Sequence, residues 1–356
     1  MSLAKLRIKN IRNISSAEVT PFNGINIIYG NNGSGKTSLL EAINILATGK
    51  SFRSNHIKSV IAHNQTQLVV FAQIQNNSNI IRAGIERQVG QKRIRLNEQN
   101  LTSIAELAQL LPVQYLGPES HQILELGPRF RRQLMDWGVF HVEHGYYSHW
   151  LRFHKYLKQR NTALKNKRYY GTLSSWDKEL ANTAHQVDNS RKEYLAGLIP
   201  IFNDYLAILS DGLAVYCTYQ RGWQEDTDYM EVLKKSLQRD QQRGFTHYGP
   251  HRADLCFRTN ELQAKEELSR GQQKMVVNAF RLAQVSHLSE NTSRKCIILV
   301  DDLSSELDAE HKERMIALLE GFETQIFITC VEPSILETSK NKKMFHVEHG
   351  MIKEVL

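Results

Sequence analysis

Eight consecutive residues, Gly30, Asn31, Asn32, Gly33, Ser34, Gly35, Lys36 and Thr37, meet the spacing GxxxxGK[ST] at every fixed position. Glycines let a backbone wrap closely around an anion, and loop N–H groups at a helix N-terminus supply partial positive charge to it. In such a phosphate-binding loop, or P-loop, the lysine reaches the outer phosphates of a nucleotide and the hydroxyl holds Mg²⁺. That assigns Lys36 to the phosphates of ATP and Thr37 to the metal, with Ser38 beside them at the helix start. An apolar stretch precedes the loop and an apolar helical stretch follows it, the context the motif requires. Far downstream, the apolar run 296–300 ends in Asp301 and Asp302. A carboxylate at the end of a core strand beside a P-loop completes the Mg²⁺ shell, which is the role expected of Asp301. Asp302 is then placed to orient or deprotonate an attacking water. Without the P-loop, the same pair would read as solvated acids capping a strand.

A third signal narrows the class. Leu268-Ser269-Arg270-Gly271-Gln272 resembles the LSGGQ signature of ABC-type ATPases, with arginine in place of one glycine. In that superfamily two protomers sandwich two ATP molecules, and the signature serine and helix start of one contact the γ-phosphate held by the other. The physics is again anion binding at a helix N-terminus. Ser269, Gly271 and Gln272 are therefore nucleotide-contacting candidates. Ser305-Glu306-Leu307-Asp308 resembles the D-loop that crosses such a dimer interface, which adds Asp308. Gln114, after Val113, resembles the Q-loop glutamine near Mg²⁺ and enters as a catalytic and metal candidate.

The elements that must position these residues follow from periodicity. Residues 3–9 and 24–29 read as strands, 36–47 as an apolar helix, and 66–96 as a β-meander broken by Asn-rich turns. Thr102 or Ser103 caps a short helix with Glu106 in its first turn. Residues 112–116 read as a strand. From 129 to 210 the strand signal disappears. Trp150, Phe153, Leu157 and Leu164 form one helical stripe, and Ala184, Val187, Tyr194, Leu198, Ile201 and Tyr205 form another, joined by a polar link near Gly171. The pair reads as an antiparallel arm with a short coiled-coil-like seam. Strand signals return at 213–219, 253–258, 296–300 and 325–330. Helices are expected over 229–242, 270–287 and 309–320, and a terminal hairpin around Gly350. The expected fold is α/β: an ABC/SMC-type P-loop ATPase head interrupted by a helical arm. Its expected division is 1–126 for the N-terminal ATPase part, 127–245 for the arm, and 246–356 for the returning ATPase part with signature and Walker B acids.

Composition bounds the partners. The chain has 356 residues, 41% of them hydrophobic, enough for a sizeable core. The N-terminal segment has no apolar signal-peptide core, and no run reaches membrane-spanning length. Four cysteines lack CxxC spacing, and three sit in apolar runs. A reduced cytoplasm fits these features. A formal charge of +8 favours an anionic partner. Residues 144–176 contain no Asp or Glu but do contain Arg152, Lys155, Lys165, Lys167 and Arg168 among many aromatics. Such a surface can neutralise phosphates and stack on exposed bases, so these five are DNA candidates. The alternative is a solvated basic helix face. Arg82, Arg87, Lys92, Arg93 and Arg95 in the meander are the competing surface. FHVEHG occurs at 140–145 and again at 345–350, but its histidines fall on opposite faces of a strand in the second copy, which is not metal-ligand spacing.

Taken with Asn10-Ile11-Arg12-Asn13, Gly49-Lys50-Ser51-Phe52-Arg53, Pro118-Glu119, Arg131-Arg132 to Asp136-Trp137, and Thr246-His247-Tyr248-Gly249-Pro250-His251-Arg252, the chain resembles the RecF family nearly end to end. These are bacterial recombination mediators related to SMC proteins. The resemblance implies an ATP-dependent homodimer that binds gapped or junction DNA, with Arg12 at the nucleotide, and that works with RecR and RecO to load RecA. It implies roles in gap repair, replication restart and SOS induction. The chain departs from the pattern at Ala253, where the family usually has an acid. Near Thr329 and Cys330 there is no switch histidine, and Asp302 stands where many ABC enzymes have Glu. The last two departures imply slow hydrolysis. A transporter ATPase subunit shares the core motifs but not the meander and basic arm. A small-molecule kinase needs no LSGGQ-like segment. A scaffold that binds ATP without turnover is distinguished by phosphate release.

Overall fold

The computed structural model describes residues 1–166, 173–260, 262–303, 309–333 and 342–355. In chain order the first elements are β1 (Ser2–Ile11), β2 (Ile14–Val19), β3 (Ile25–Tyr29), α1 (Lys36–Thr48), β4 (Gln67–Asn76), β5 (Asn79–Gln88), β6 (Gln91–Leu96), β7 (Gln99–Leu101), α2 (Ile104–Leu110) and β8 (Val113–Leu116). Then come α3 (Gln122–Glu125), α4 (Pro128–Val142), α5 (Tyr146–Lys165), α6 (Leu173–Leu209), β9 (Tyr216–Gln220), α7 (Tyr229–Arg243), β10 (Asp254–Thr259), β11 (Leu262–Gln263), α8 (Ala264–Glu267) and α9 (Arg270–Asn291). The chain closes with β12 (Ile297–Val300), α10 (Ala309–Glu320), β13 (Ile326–Cys330), β14 (Lys342–Glu348) and β15 (Met351–Val355).

These elements form two compact units, Met1–Ser120 with Thr292–Leu356, and His121–Asn291. The first unit holds two six-stranded sheets, β2-β1-β4-β5-β6-β7 and β15-β14-β3-β13-β12-β8. The former is antiparallel, as the hairpin spacing of the meander dictates. The latter is parallel from β14 to β8, with β15 antiparallel at its edge. Helix α1 is buried from Leu39 to Ala47 because its apolar residues run all round rather than along one stripe. One core joins Leu6, Ile8, Val70, Ala72 and Ile85 of the first sheet, Leu40 and Ile43 of α1, and Ile28, Leu299 and Phe327 of the second. Gly49 ends α1 in the left-handed region (φ 70°), and Ser103 caps α2 through its side chain.

In the second unit Phe153, Leu157 and Leu164 of α5 are buried, as are Ala184, Val187, Tyr194 and Leu198 of α6. Leu164 clusters with Leu173, and Arg160 pairs with Asp177, so the two helices separate in opposite chain directions and run antiparallel. Arg160 is not a surface charge. It is fully buried, bonded to Asp177 at 2.6 Å and Asp240 at 2.7 Å, and it also donates to Thr246 at 2.8 Å. A buried charge persists only when paired in this way.

The division differs from the expected one. Residues 246–291 belong with the arm, not with the returning ATPase strands, because α9 packs on the arm helices. Gln284 donates to the Leu134 carbonyl at 2.9 Å, and Phe280 meets Phe202 edge-on. The unit is also not purely helical, since β9, β10 and β11 form a small antiparallel sheet within it. Strands β2 and β7 were not foreseen from sequence. Among the described residues no helix is long and apolar enough to cross a membrane, and the four cysteines are free.

Candidate functional site

The P-loop leaves β3, buried in its sheet, and turns into α1 through three glycines with positive φ: Gly30 at 146°, Gly33 at 78° and Gly35 at 123°. Any side chain at Gly30 would place Cβ 2.2 Å from the Val347 carbonyl of β14. The terminal hairpin thus braces the loop, and Gly350 N–H donates to the Ser34 carbonyl at 2.8 Å. Asn13 braces the other side, donating to the Gly33 carbonyl at 3.0 Å and accepting from Ser38 at 3.1 Å. The Lys36 ammonium donates to the carbonyls of Gly30 at 2.6 Å and Asn31 at 3.0 Å, which holds it across the loop. Burial lowers its pKa, while Asp302 and Asp301 pull it back up. Ser34 Oγ is buried and has no hydrogen-bond partner among the described residues.

Asp301 follows β12 directly, and its N–H donates to the Leu116 carbonyl at 2.8 Å. Its Oδ1 accepts from Thr37 at 2.9 Å and from Thr329 at 2.8 Å, and its Oδ2 accepts from Tyr115 at 3.2 Å. Thr329 also accepts from the Asp302 N–H at 2.8 Å, and Asp302 itself sits at φ 53°. The hydroxyl and carboxylate oxygens of Thr37 and Asp301 are the hard donor set that suits Mg²⁺. Cys330, next in β13, has its thiol pushed up to about 11 by burial, with Lys36 opposing.

One cleft gathers much of the expected constellation: Arg12, Asn32, Gly33, Gly35, Lys36, Thr37, Ser38, Asp301 and Asp302 line it. Asn13, Arg53 and Thr329 line it too, and sequence reasoning had given none of these a role. The Arg12 guanidinium is clamped in two parallel bonds of 2.9 Å by Glu41, a fully buried carboxylate on α1 that was also missed. Arg12 therefore stands at the rim in a fixed orientation, and the paired carboxylate raises its pKa.

Gln114 is not brought there. Val113 and Tyr115 of β8 face the α1 core together with Ile297 and Leu299, their register partners on β12. Side chains alternate along a strand, so Gln114 points to the other face with Ile298. Tyr115 takes the place beside Asp301 that the Q-loop comparison had given to Gln114.

The signature residues form a reciprocal cap on α9. Ser269 Oγ accepts from the Gln272 N–H at 3.3 Å, and Gln272 Oε1 accepts from the Ser269 N–H at 3.0 Å. Ser269 and Gln272 are exposed, and Gly271 adds no side chain over the helix start. The N-cap reading and the anion-binding reading are compatible, since both depend on an ordered helix terminus. Asp308 and the D-loop comparison at 305–308 lie outside the described residues.

Of the DNA candidates, Arg152, Lys155 and Lys165 are exposed on α5, as is Lys158. Lys167 and Arg168 lie outside the described residues. On the meander, Arg82, Arg93 and Arg95 rim a groove floored by Phe71 and Gly84 on the sheet face turned away from α1. Arg87 instead donates to the Gly49 carbonyl.

The RecF/RecN/SMC N terminal domain family model matches residues 2–353. A DNA replication and repair protein RecF from Cellvibrio japonicus is 44% identical over 363 residues, covering 99% of each chain. Its counterpart from Stutzerimonas stutzeri is 43% identical over 366 residues, covering 100% of this chain and 98% of that one. A solved structure of the recombination mediator protein RecF with ATP, in the RecFOR pathway, superposes with a TM-score of 0.89 at 26% identity, covering 100% of this chain and 98% of that one. An SMC head bound to the C-terminal winged-helix domain of ScpA superposes at 0.63 with 15% identity, a likeness of fold alone.

Proposed function

Because the chain belongs to the RecF family, we propose that it is an ATP-switched DNA-binding protein of bacterial recombinational gap repair, dimeric on ATP and slow to hydrolyse it. The observation that carries this reading is the Thr37–Asp301 hydrogen bond at the mouth of the glycine loop, which joins the metal hydroxyl and the metal carboxylate in one cleft. Bound there, ATP with Mg²⁺ supplies the phosphoanhydride and the charge that a signature helix start can grip. Lys36 and the loop N–H groups hold the phosphates, Thr37 and Asp301 hold the cation, and Asp302 orients water. Ser269 and the start of α9 serve the nucleotide of a second protomer. ATP thereby becomes part of a dimer interface, and hydrolysis releases it.

The arm supplies the DNA contact in this reading. Arg152, Lys155 and Lys158 recur every three residues along the exposed side of α5, opposite buried Phe153 and Leu157. RecR, RecO and RecA are the partners that the family resemblance implies, with gapped or junction DNA as the substrate.

Sedimentation with and without ATP tests the sandwich. Wild type is expected to dimerise with saturating ATP, whereas Ser269→Arg binds ATP but stays monomeric, because a long side chain fills the γ-phosphate position. A wild type that remains monomeric at micromolar concentration with saturating ATP contradicts the reading.

A further inference from the structure

We propose that Tyr115 positions the metal carboxylate: its hydroxyl holds Asp301 Oδ2, so that Oδ1 is the oxygen presented beside Thr37. The inference rests on the proposed role of Asp301 as the Mg²⁺ carboxylate.

Three features single out the Tyr115 hydroxyl. Asp301 is buried, and its two oxygens are divided between different donors, Thr37 and Thr329 on Oδ1 and Tyr115 on Oδ2. A carboxylate held at both oxygens cannot swing about its Cβ–Cγ bond, and hydrogen bonds to a ligating carboxylate fix its orientation toward a metal. The fold also makes room for this hydroxyl. A Cβ at Gly117 would lie 2.2 Å from Tyr115 Oη, so the glycine keeps that space open. Finally, the ring is itself fixed. It stacks on Phe52 at 3.8 Å between centroids and 17° between planes.

Phe52 lies on the loop after α1, next to Ser51, whose hydroxyl donates to Glu41, the same carboxylate that clamps Arg12. The rim arginine, the loop at 49–53 and the metal carboxylate are therefore joined through contacting side chains on either side of the Ser51–Phe52 peptide. Tyr115 is the member that touches Asp301. It acts through Asp301 rather than on the nucleotide, so it is a positioning residue.

The test is cation affinity, measured with Mn²⁺ by electron paramagnetic resonance on the ATP-loaded full chain, and with Mg²⁺ by titrating binding of a fluorescent ATP analogue. Tyr115→Phe keeps the ring and its stack and removes only the hydroxyl. Its Mn²⁺ half-saturation is expected to rise about tenfold, the lower end of what lost outer-shell partners cost a metal site. Analogue affinity in EDTA and the thermal midpoint should match wild type. Phe52→Leu, which keeps the hydroxyl but loosens the ring, should shift cation affinity in the same direction by less. Unchanged half-saturation in Tyr115→Phe, with Asp301→Asn weakened, overturns the inference and leaves the metal assignment standing. Unchanged cation affinity in Asp301→Asn overturns both. Equal weakening of Tyr115→Phe with and without cation would mark a structural role only, which also overturns it.

Discussion

Replacing Arg152, Lys155 and Lys158 with glutamine removes three exposed cations from one side of α5 while leaving the buried stripe of Phe153 and Leu157 intact. Each phosphate neutralised on duplex DNA contributes a slope of about −0.9 to log K against log salt. If all three side chains meet phosphates, the slope flattens by about 2.7, and two contacts would give about 1.8. Between 50 and 200 mM salt, the wild type would then lose roughly 40-fold more affinity than the variant. The assay is fluorescence anisotropy on gapped duplex at several salt concentrations with saturating ATP. Dimerisation should be unaffected, because the changes lie outside the P-loop cleft and the signature. A parallel variant with Arg82, Arg93 and Arg95 changed to glutamine tests the groove over Phe71. An unchanged slope in the arm variant would refute the arm assignment. A flattened slope in the meander variant would then move the DNA contact to that sheet face.

Asp302→Asn is expected to slow phosphate release at least tenfold and lengthen the ATP dimer's lifetime, since asparagine tolerates the left-handed backbone at φ 53°. Asp301→Asn should instead weaken Mg²⁺-dependent binding, and wild-type turnover in both variants would refute the division of roles. His251 should contribute acid sensitivity, alongside His154 and His287, whose pKa values burial also lowers. The pKa of His251 is lowered from 6.5 to about 4, chiefly by burial and further by Arg252, His154 and Arg132, against a hydrogen bond to the Thr246 carbonyl. The unfolded chain takes up this proton first, so the stability it contributes is full above pH 6.5 and is lost as pH falls from 6.5 through about 4. His251→Gln should flatten the fall in thermal midpoint over that window, and an identical fall in the variant would contradict the assignment.

Local chemistry was legible in the sequence. The glycine loop, its strand and helix, the cap at Ser103 and the paired stripes of α5 and α6 each depend on residues a few positions apart. What depends on register was not legible. Gln114 and Tyr115 are adjacent, and only the pairing of β8 with β12 decides which of them faces Asp301. Asn13 and Thr329 are ordinary polar residues until strands distant in sequence carry them to one cleft, and Glu41 is ordinary until the end of β1 brings Arg12 against it. The boundary at Asn291 falls on an Asn-Thr-Ser cluster, which marks where α9 ends, but which unit α9 belongs to is decided by what it packs on. FHVEHG makes the point most directly. Its first copy ends α4 and leads through Gly145 into α5, while the second lies along β14 and turns at Gly350. Both glycines have positive φ, 82° and 77°, so the turn is local, but the helix and the strand before it are imposed by their neighbours.

The most direct test of the account is DNA affinity measured with and without ATP for wild type and Lys36→Met. The lysine's ammonium is bound to loop carbonyls rather than to core side chains, so the variant should fold normally. ATP is expected to strengthen wild-type binding to gapped DNA by at least tenfold and to leave Lys36→Met unchanged at its weak, ATP-independent level. Equal ATP-dependent retention of DNA by both proteins would contradict the claim that this cleft is the switch.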